Sequence, residues 1–388
     1  MEQKIKIAGI ATRGQGIKWF MLDNLRYAAQ NGFEADVICE PTDMFKEEDM
    51  SLINYIPVPM QRGNVSPMEV LKCTWRLYRI FRKNKYDVVQ FTSSKAGLYA
   101  SIASWMARVP VRIFCQWGIS YKEDYTGFKQ WFFKMIEKVT CMCATDVQPD
   151  SYANLKFAIE EGLYTAKKGS VIHKGSANGV DMQKFDIAQK AIWRKDIRAQ
   201  YGIDENAVLF GYVGRIVPEK GINELFEAFS KIENQNARLI IVGPNYNVEG
   251  LDQELYKAAL ANDRIVFTGP VSNPAKYYAS MDYLCLPSYR EGFGAVVLEA
   301  ASLAVPTICS NIKGPTDFIK DGENGLLCEV KSMESLLAVM KKALNLTTEQ
   351  YQKIANSAFS DVKRDFDAQI FRKYYLEDRM RLLKKHNS

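Results

Sequence analysis

Histidine is nearly missing from this chain: His173 and His386 are the only two in 388 residues. That excludes a multi-histidine metal centre. Long apolar runs are missing too, and nothing approaches the roughly 20 residues a helix needs to span a bilayer. The opening residues MEQKIKIAGIA lack a long apolar core followed by a small-residue cleavage site. They read as a first strand, and the expected location is the cytoplasm. No short-period repeat or low-complexity tract occurs. The eight cysteines follow no pairing logic, and Cys39, Cys115, Cys285 and Cys309 sit inside apolar runs. Cys141 and Cys143 have no second pair or histidine cluster near them, so a zinc site is not expected and the thiols read as reduced and structural. Asp-x-Asp occurs only at Asp365 and Asp367, where it reads as the N-cap of a last helix. No metal or other cofactor is expected.

What is present fits a soluble globular protein of two domains, with 47% apolar and 25% charged residues. The net charge of +6 is uneven: residues 1–180 hold 24 Lys plus Arg against 18 Asp plus Glu, and residues 181–388 hold 27 of each. A basic first half implies an anionic partner there, a membrane surface or a phosphorylated acceptor. Nucleic acid is not the expected partner.

Strands alternate with helices along the whole chain, which implies two parallel α/β sheets with ligand at their C-terminal edges. In the first half, strands are expected at 4–11, 34–40, 56–60, 87–92, 111–116, 145–148 and 170–173. The turn TRGQG, with Arg13, Gly14 and Gly16, either approaches a phosphate or the acceptor or is a simple tight turn. The helix at 67–85 interleaves Trp75, Tyr78 and Phe81 with six cations and has Glu69 as its one acid. It reads equally as a peripheral membrane contact or as a charged outer face packed on a sheet. An aromatic and basic segment, GFKQWFFKMIEK, follows at 127–138. A glycine-bearing crossover at 175–185 leads to a new α/β unit with strands at 207–213, 238–242 and 264–268. The last helix is expected over 368–385.

The most informative stretch is 281–330. A short strand at 283–287 enters the polar, glycine-rich turn 288–294, then an apolar helix at 295–303 and another strand at 306–310. A strand, a glycine turn and a helix start present free backbone N–H groups to an anion. Glu291 sits at that mouth, near the amides of Gly292, Phe293 and Gly294, and Glu299 lies about two turns into the helix. Carboxylates repel phosphate, so their natural partners are hydroxyls, which suggests a ligand with both phosphates and sugar hydroxyls. Taken alone, two Glu at this spacing read as an acidic helix N-terminus plus an exposed side chain. Upstream, Arg215 and Lys220 lie on a strand-to-helix loop, Gly214 to Gly221, where two cations and loop amides suit a diphosphate.

The run P-S-x-x-E-G-F-G-x-x-x-L-E-A from Pro287, followed by D-G-x-N-G-L-L from Asp321, resembles the donor-site signature of retaining GT-B glycosyltransferases, family 4. The resemblance implies two Rossmann-like domains facing across a cleft: 1–180 for the acceptor, 181–365 for the nucleotide sugar, and a C-terminal helix, 366–388, crossing back to the first. It implies Arg215 and Lys220 on the donor diphosphate, beside Gly214; Glu291 on the donor sugar; and Glu299 on the ribose hydroxyls. Gly292, Phe293 and Gly294 would supply backbone donors, and Val271 would border the base. The segments IPVPMQRGNVSP, FTSSKAG and KGSANGVDMQKF extend the likeness to bacterial enzymes of capsular polysaccharide and lipid-linked oligosaccharide synthesis. That implies a UDP-sugar as donor, a saccharide on undecaprenyl diphosphate as acceptor, and peripheral contact with the anionic inner membrane surface. Arg13, Gly14, Gly16, Arg62, Lys95 and Trp117 are the acceptor-side candidates. Two positions depart from the family: Trp117-Gly118 stands where many members have His-Gly, and Gln90 where many have a strand-end His. Front-face retaining transfer uses the departing diphosphate oxygen, so no protein base is required. Other readings of the same fold are a non-catalytic nucleotide-sugar-binding subunit and a nucleotide-sugar epimerase.

Overall fold

The computed structural model describes residues 4–45, 50–60, 66–119, 126–245 and 248–387. The chain forms two compact units, Met1–Asn178 with Gln369–Ser388, and Gly179–Ala368.

The first unit runs β1 (Lys6–Ile10), α1 (Gly14–Phe20), α2 (Leu22–Gln30), β2 (Glu34–Cys39), β3 (Ile53–Pro57), α3 (Pro67–Asn84) and β4 (Val88–Phe91). It continues with α4 (Ser94–Met106), β5 (Val111–Gln116), α5 (Gly127–Cys143), β6 (Asp146–Pro149) and α6 (Tyr152–Glu160). Its six strands are all parallel, in the order β3-β2-β1-β4-β5-β6. Both faces are covered, and β4 and β6 are buried at every position. Ala8, Ile10 and Phe114 face a core closed by α3, α4 and α6. Ile7, Ile113 and Cys115 face the opposite core, closed by α2 and by Phe371, Tyr375 and Leu382 of the last helix.

The second unit runs α7 (Lys190–Gln200), β7 (Val208–Val213), α8 (Ile222–Ser230), β8 (Ala237–Val242), α9 (Gln253–Ala261), β9 (Ile265–Gly269) and α10 (Pro274–Ser280). It ends with β10 (Tyr283–Leu286), α11 (Ala295–Ser302), β11 (Thr307–Ser310), β12 (Gly325–Cys328), α12 (Met333–Leu344) and α13 (Thr348–Asp365). Its parallel sheet has the order β12-β11-β10-β7-β8-β9. Alternation is legible along β8, where Ile240 and Val242 join one core and Leu239 and Ile241 the other. The chain then returns to the first unit through α14 (Ala368–Asn387).

Three expectations need correction. The strand expected at 170–173 is absent; pairing with β6 there is limited to one isolated bridge, Gly169 with Val147, just before that segment. The strand expected at 56–60 lies earlier, at Ile53–Pro57. Gly14 and Gly16 are not in a turn but inside α1, where the missing Cβ of Gly14 leaves room for the Thr42 side chain.

Candidate functional site

In each sheet the strand order reverses direction once, between β1 and β4 in the first and between β7 and β10 in the second. Loops diverge at such a switch point and leave a crevice at the C-terminal edge. In the second unit the loops that border this crevice carry Arg215, Lys220 and Glu291.

The loop after β7 and the loop after β10 are held backbone to backbone. The Tyr289 N–H donates to the Glu219 carbonyl at 3.0 Å. Gly221, at φ +69°, caps the start of α8, and a Cβ there would sit 2.0 Å from the Pro287 carbonyl oxygen. Glycine is required on both counts. This approach brings Lys220 Nζ to 2.6 Å from Glu291 Oε1, with side chains only 19% and 13% exposed. Below them, the buried Tyr212 hydroxyl donates to the Arg215 carbonyl at 2.7 Å, and the exposed Arg215 side chain is left to solvent. Burial, with the Glu291 charge adding to it, pushes the Tyr212 phenol well above its ordinary range, so it stays protonated and keeps the proton it donates to Arg215.

The neighbouring loops close around this pair. Gly214 and Gly243 approach so closely that a Cβ on Gly243 would fall 1.9 Å from the Gly214 carbonyl oxygen. The Gly243 N–H reaches the Gly269 carbonyl at the end of β9, just before the half-buried Val271. On the other side Gly314, at φ +95°, lies under Glu291 and Gly292, where a Cβ would meet the Gly292 carbonyl oxygen at 2.1 Å. Phe293 turns its ring into the core against Phe366, 5.4 Å between centroids, which leaves only its backbone at the mouth. Gly294, at φ +85°, caps α11. From that helix Glu299 Oε2 accepts the Tyr278 hydroxyl at 2.6 Å. Burial raises the Glu299 carboxyl above the usual carboxylate range, against the lowering effect of Tyr278 and Lys184.

The edge therefore offers loop amides and two cations beside the Glu291 carboxylate, with Glu299 farther along α11, a combination that suits a ligand carrying phosphates at one end and hydroxyls at the other. Sequence reasoning missed Gly314, Tyr212, Tyr278 and Ser288. The Gly314-Pro315 pair was a turn signal for the first. The Ser288 hydroxyl is fully buried with no partner among the described residues, one position past the Pro287 contact. The two tyrosines lie in apolar runs that carry no signal of a polar role.

In the first unit the loops after β1 and β4 meet at the switch point, where the Thr12 and Ser93 hydroxyls are 2.9 Å apart. Arg13 is exposed beside Thr12, and Lys95 is half-buried in the first turn of α4. Trp117, just past β5, packs on Phe20 at 5.2 Å. Arg62 lies outside the described residues. Gln90 is fully engaged: its Oε1 accepts from the Tyr375 hydroxyl at 2.9 Å and from Arg379 Nη2 at 2.9 Å. Arg379 is itself buried, donating also to Gln148 at 2.9 Å and to Asp378 at 2.7 Å.

Residues 7–149 match the model of the family described as "Glycosyl transferase 4-like", and residues 194–361 match "Glycosyl transferases group 1". A capsular polysaccharide biosynthesis glycosyltransferase of Staphylococcus aureus, CapM, is 28% identical over 367 residues, 94% of each chain. The Escherichia coli UDP-Gal:alpha-D-GlcNAc-diphosphoundecaprenol alpha-1,3-galactosyltransferase is 26% identical over 373 residues, covering 93% of this chain and 95% of that one. Among solved structures, Anabaena Alr3699/HepE in complex with UDP and glucose superposes with a TM-score of 0.79 at 19% identity, over 96% of this chain and 99% of that one. A glycosyltransferase from Rickettsia africae gives a TM-score of 0.81 at 20% identity, over 98% and 99%. This chain belongs to the glycosyltransferases of the GT-B fold, with a family 4-like first domain and a group 1 second domain.

Proposed function

We propose that the chain transfers a sugar from a UDP-sugar, with retention at the anomeric carbon, to a saccharide carried on undecaprenyl diphosphate. The product is a bacterial cell-surface polysaccharide or oligosaccharide precursor. The observation that carries this reading is the meeting of Lys220 and Glu291 at the switch point of the second sheet, 2.6 Å apart. Without donor the two charges satisfy each other. With donor, the diphosphate takes over Lys220 together with Arg215, and the sugar hydroxyls take over Glu291. Glu299 accepts from the ribose hydroxyls, and Val271 borders the base. The E. coli relative, a galactosyltransferase acting on GlcNAc-diphosphoundecaprenol, supports the acceptor class, and the S. aureus relative supports a role in capsular polysaccharide synthesis.

In the step itself, the bond from the anomeric carbon to the diphosphate oxygen breaks while the acceptor hydroxyl bonds to that carbon from the same face. The acceptor proton passes to the departing diphosphate oxygen. Arg215, Lys220 and the loop amides stabilise the charge that grows on the leaving group. These cations fill the part a metal plays elsewhere, so the reading is of metal-independent transfer. The acceptor approaches the first unit's edge at Arg13, Gly14, Gly16, Lys95 and Trp117. Its lipid carrier places the enzyme at the inner face of the cytoplasmic membrane as a peripheral protein.

Glu291→Ala tests the reading. With a competent donor and lipid acceptor, transfer should fall by about a hundredfold or more in kcat/KM, roughly 3 kcal/mol of transition-state stabilisation. Unchanged turnover removes Glu291 from the mechanism. Donor binding without transfer, across a broad screen of donors and lipid acceptors, would replace the enzyme by a nucleotide-sugar-binding subunit.

A further inference from the structure

Helix α5 is apolar on two faces. Its inner face supplies Thr140, Cys141 and the buried Glu137, whose carboxylate accepts from Gln116 at 2.6 Å. Its outer face carries Phe128, Trp131, Phe132 and Met135, spaced i, i+3, i+4, i+7, the stripe that ordinarily meets a core. Here the stripe is bare: Phe128 is 76% exposed and Trp131 57%. The rings lean on one another, Phe128 to Trp131 at 5.6 Å and Phe128 to Phe132 at 6.2 Å, and form a ridge. Helix α3 repeats the pattern with Met68, Leu71 and Trp75, of which Leu71 is 64% and Trp75 55% exposed. Helix α4 packs between them.

All three helices follow parallel strands on the same face of one sheet, so they run the same way and their first turns lie at the C-terminal edge. Met68 and Phe128 stand in those first turns. The two ridges thus begin at the edge that holds Arg13, Lys95 and Trp117. The charge beside them is mainly positive, and on the α5 side Lys134 is paired with Glu161 at 2.8 Å. On α3, Lys72, Arg76, Arg79, Arg82 and Lys83 are exposed, and the single acid, Glu69, is paired with Lys72 at 3.3 Å. On α5 the exposed charges are Lys129 and Lys138, because Glu137 is buried. No helix among the described residues is long and apolar enough to cross a membrane.

We infer that the α3 and α5 face of the first unit docks on an anionic lipid bilayer, with Phe128, Trp131 and Phe132 entering the headgroup layer and the α3 cations resting on acidic headgroups. Bulky rings flanked by cations match the interface in both respects: the rings leave water, and the charges meet the negative surface potential. Bulky apolar side chains exposed side by side along a helix, rather than singly, mark an interaction surface. The inference rests on the lipid-carried acceptor proposed above and names the surface that would bring the carrier to the first unit's edge.

The test is sedimentation of the full-length chain with vesicles, either phosphatidylcholine alone or an equal mixture with phosphatidylglycerol. Wild type should partition onto the mixed vesicles and lose most of that binding in high salt or without the acidic lipid. Trp131→Ser with Phe132→Ser, and separately Arg76→Glu with Arg79→Glu, should each weaken partitioning by about tenfold or more. Both variants should keep the wild-type unfolding midpoint and UDP affinity, since they alter exposed positions remote in sequence from the donor loops. Unchanged partitioning in either variant overturns the inference. So does a wild-type chain that ignores vesicles but self-associates through contacts the serine variant abolishes, which would make the face a protein interface. Failure of the donor-site reading would appear instead as absent UDP binding with vesicle partitioning intact.

Discussion

Ala304 occupies a position that most chains give to glycine. It follows α11 at φ +49°, and the backbone closes the helix with two reverse bonds, Ala304 N–H to the Ala301 carbonyl at 2.9 Å and Val305 N–H to Ala300 at 3.0 Å. This left-handed closure costs a residue with a Cβ about 1 kcal/mol relative to glycine. Ala304→Gly should therefore raise the stability of the second unit by about 1 kcal/mol in denaturant unfolding, and a loss would show that the Ala304 methyl has a packing role. Glu299 pulls the other way. Its folded carboxyl titrates above its unfolded range, so the folded state binds more protons there, and stability falls as pH rises through that window. Glu299→Gln keeps the acceptor for Tyr278 but removes the buried charge. The ligand-free variant should be at least as stable as wild type at pH 7, should lose this pH dependence, and should bind UDP about tenfold more weakly. An unchanged UDP affinity would contradict contact with the ribose. The carboxylate itself was legible in the sequence through its place in the signature. Its partner Tyr278, 21 positions earlier in a helix of the apolar core, was not, because nothing local distinguishes a tyrosine that reaches a carboxylate from one that fills volume.

Helix α14 explains one departure from the family pattern. Where the resemblance leads one to expect a strand-end histidine, Gln90 receives both Tyr375 and the buried guanidinium of Arg379, which also stacks 4.1 Å above the Tyr375 ring. A protonated imidazole at that place would face a fixed cation with no acceptor to offer, whereas an amide oxygen accepts from it at any pH. Gln90→Leu should cost about 2 kcal/mol, the range for hydrogen bonds to a buried charge, read as a lower denaturant midpoint for the first unit. A neutral result would mean that Gln148 and Asp378 satisfy Arg379 without it. The sequence placed a helix at 368–385 and a glutamine at a strand end, but the contact joins positions 285 and 289 residues apart, beyond any periodic signal. The same limit hid the roles of α5, where apolar residues on both faces leave periodicity unable to say which side is buried. The segment at 170–173 misled for the opposite reason: it looks locally like a strand, and only its lack of a ladder partner decides against it.

For the whole molecule, strand–turn–helix alternation and the glycine-bearing loops made two parallel sheets legible, because each unit repeats a local pattern. The strand order did not follow from that pattern. It emerges from which strand the first one of each unit joins, and that order puts the loops after β7 and β10 side by side and so brings Lys220 to Glu291 across 71 positions. The most direct measurement is calorimetric titration of a panel of nucleoside diphosphates, UDP, GDP and ADP, into wild type and Arg215→Ala/Lys220→Ala. One site per chain is expected that prefers UDP and weakens about tenfold or more in the double variant, since two charge-assisted contacts are removed. Equal affinity in the two proteins, or no binding by the folded wild type, would contradict it.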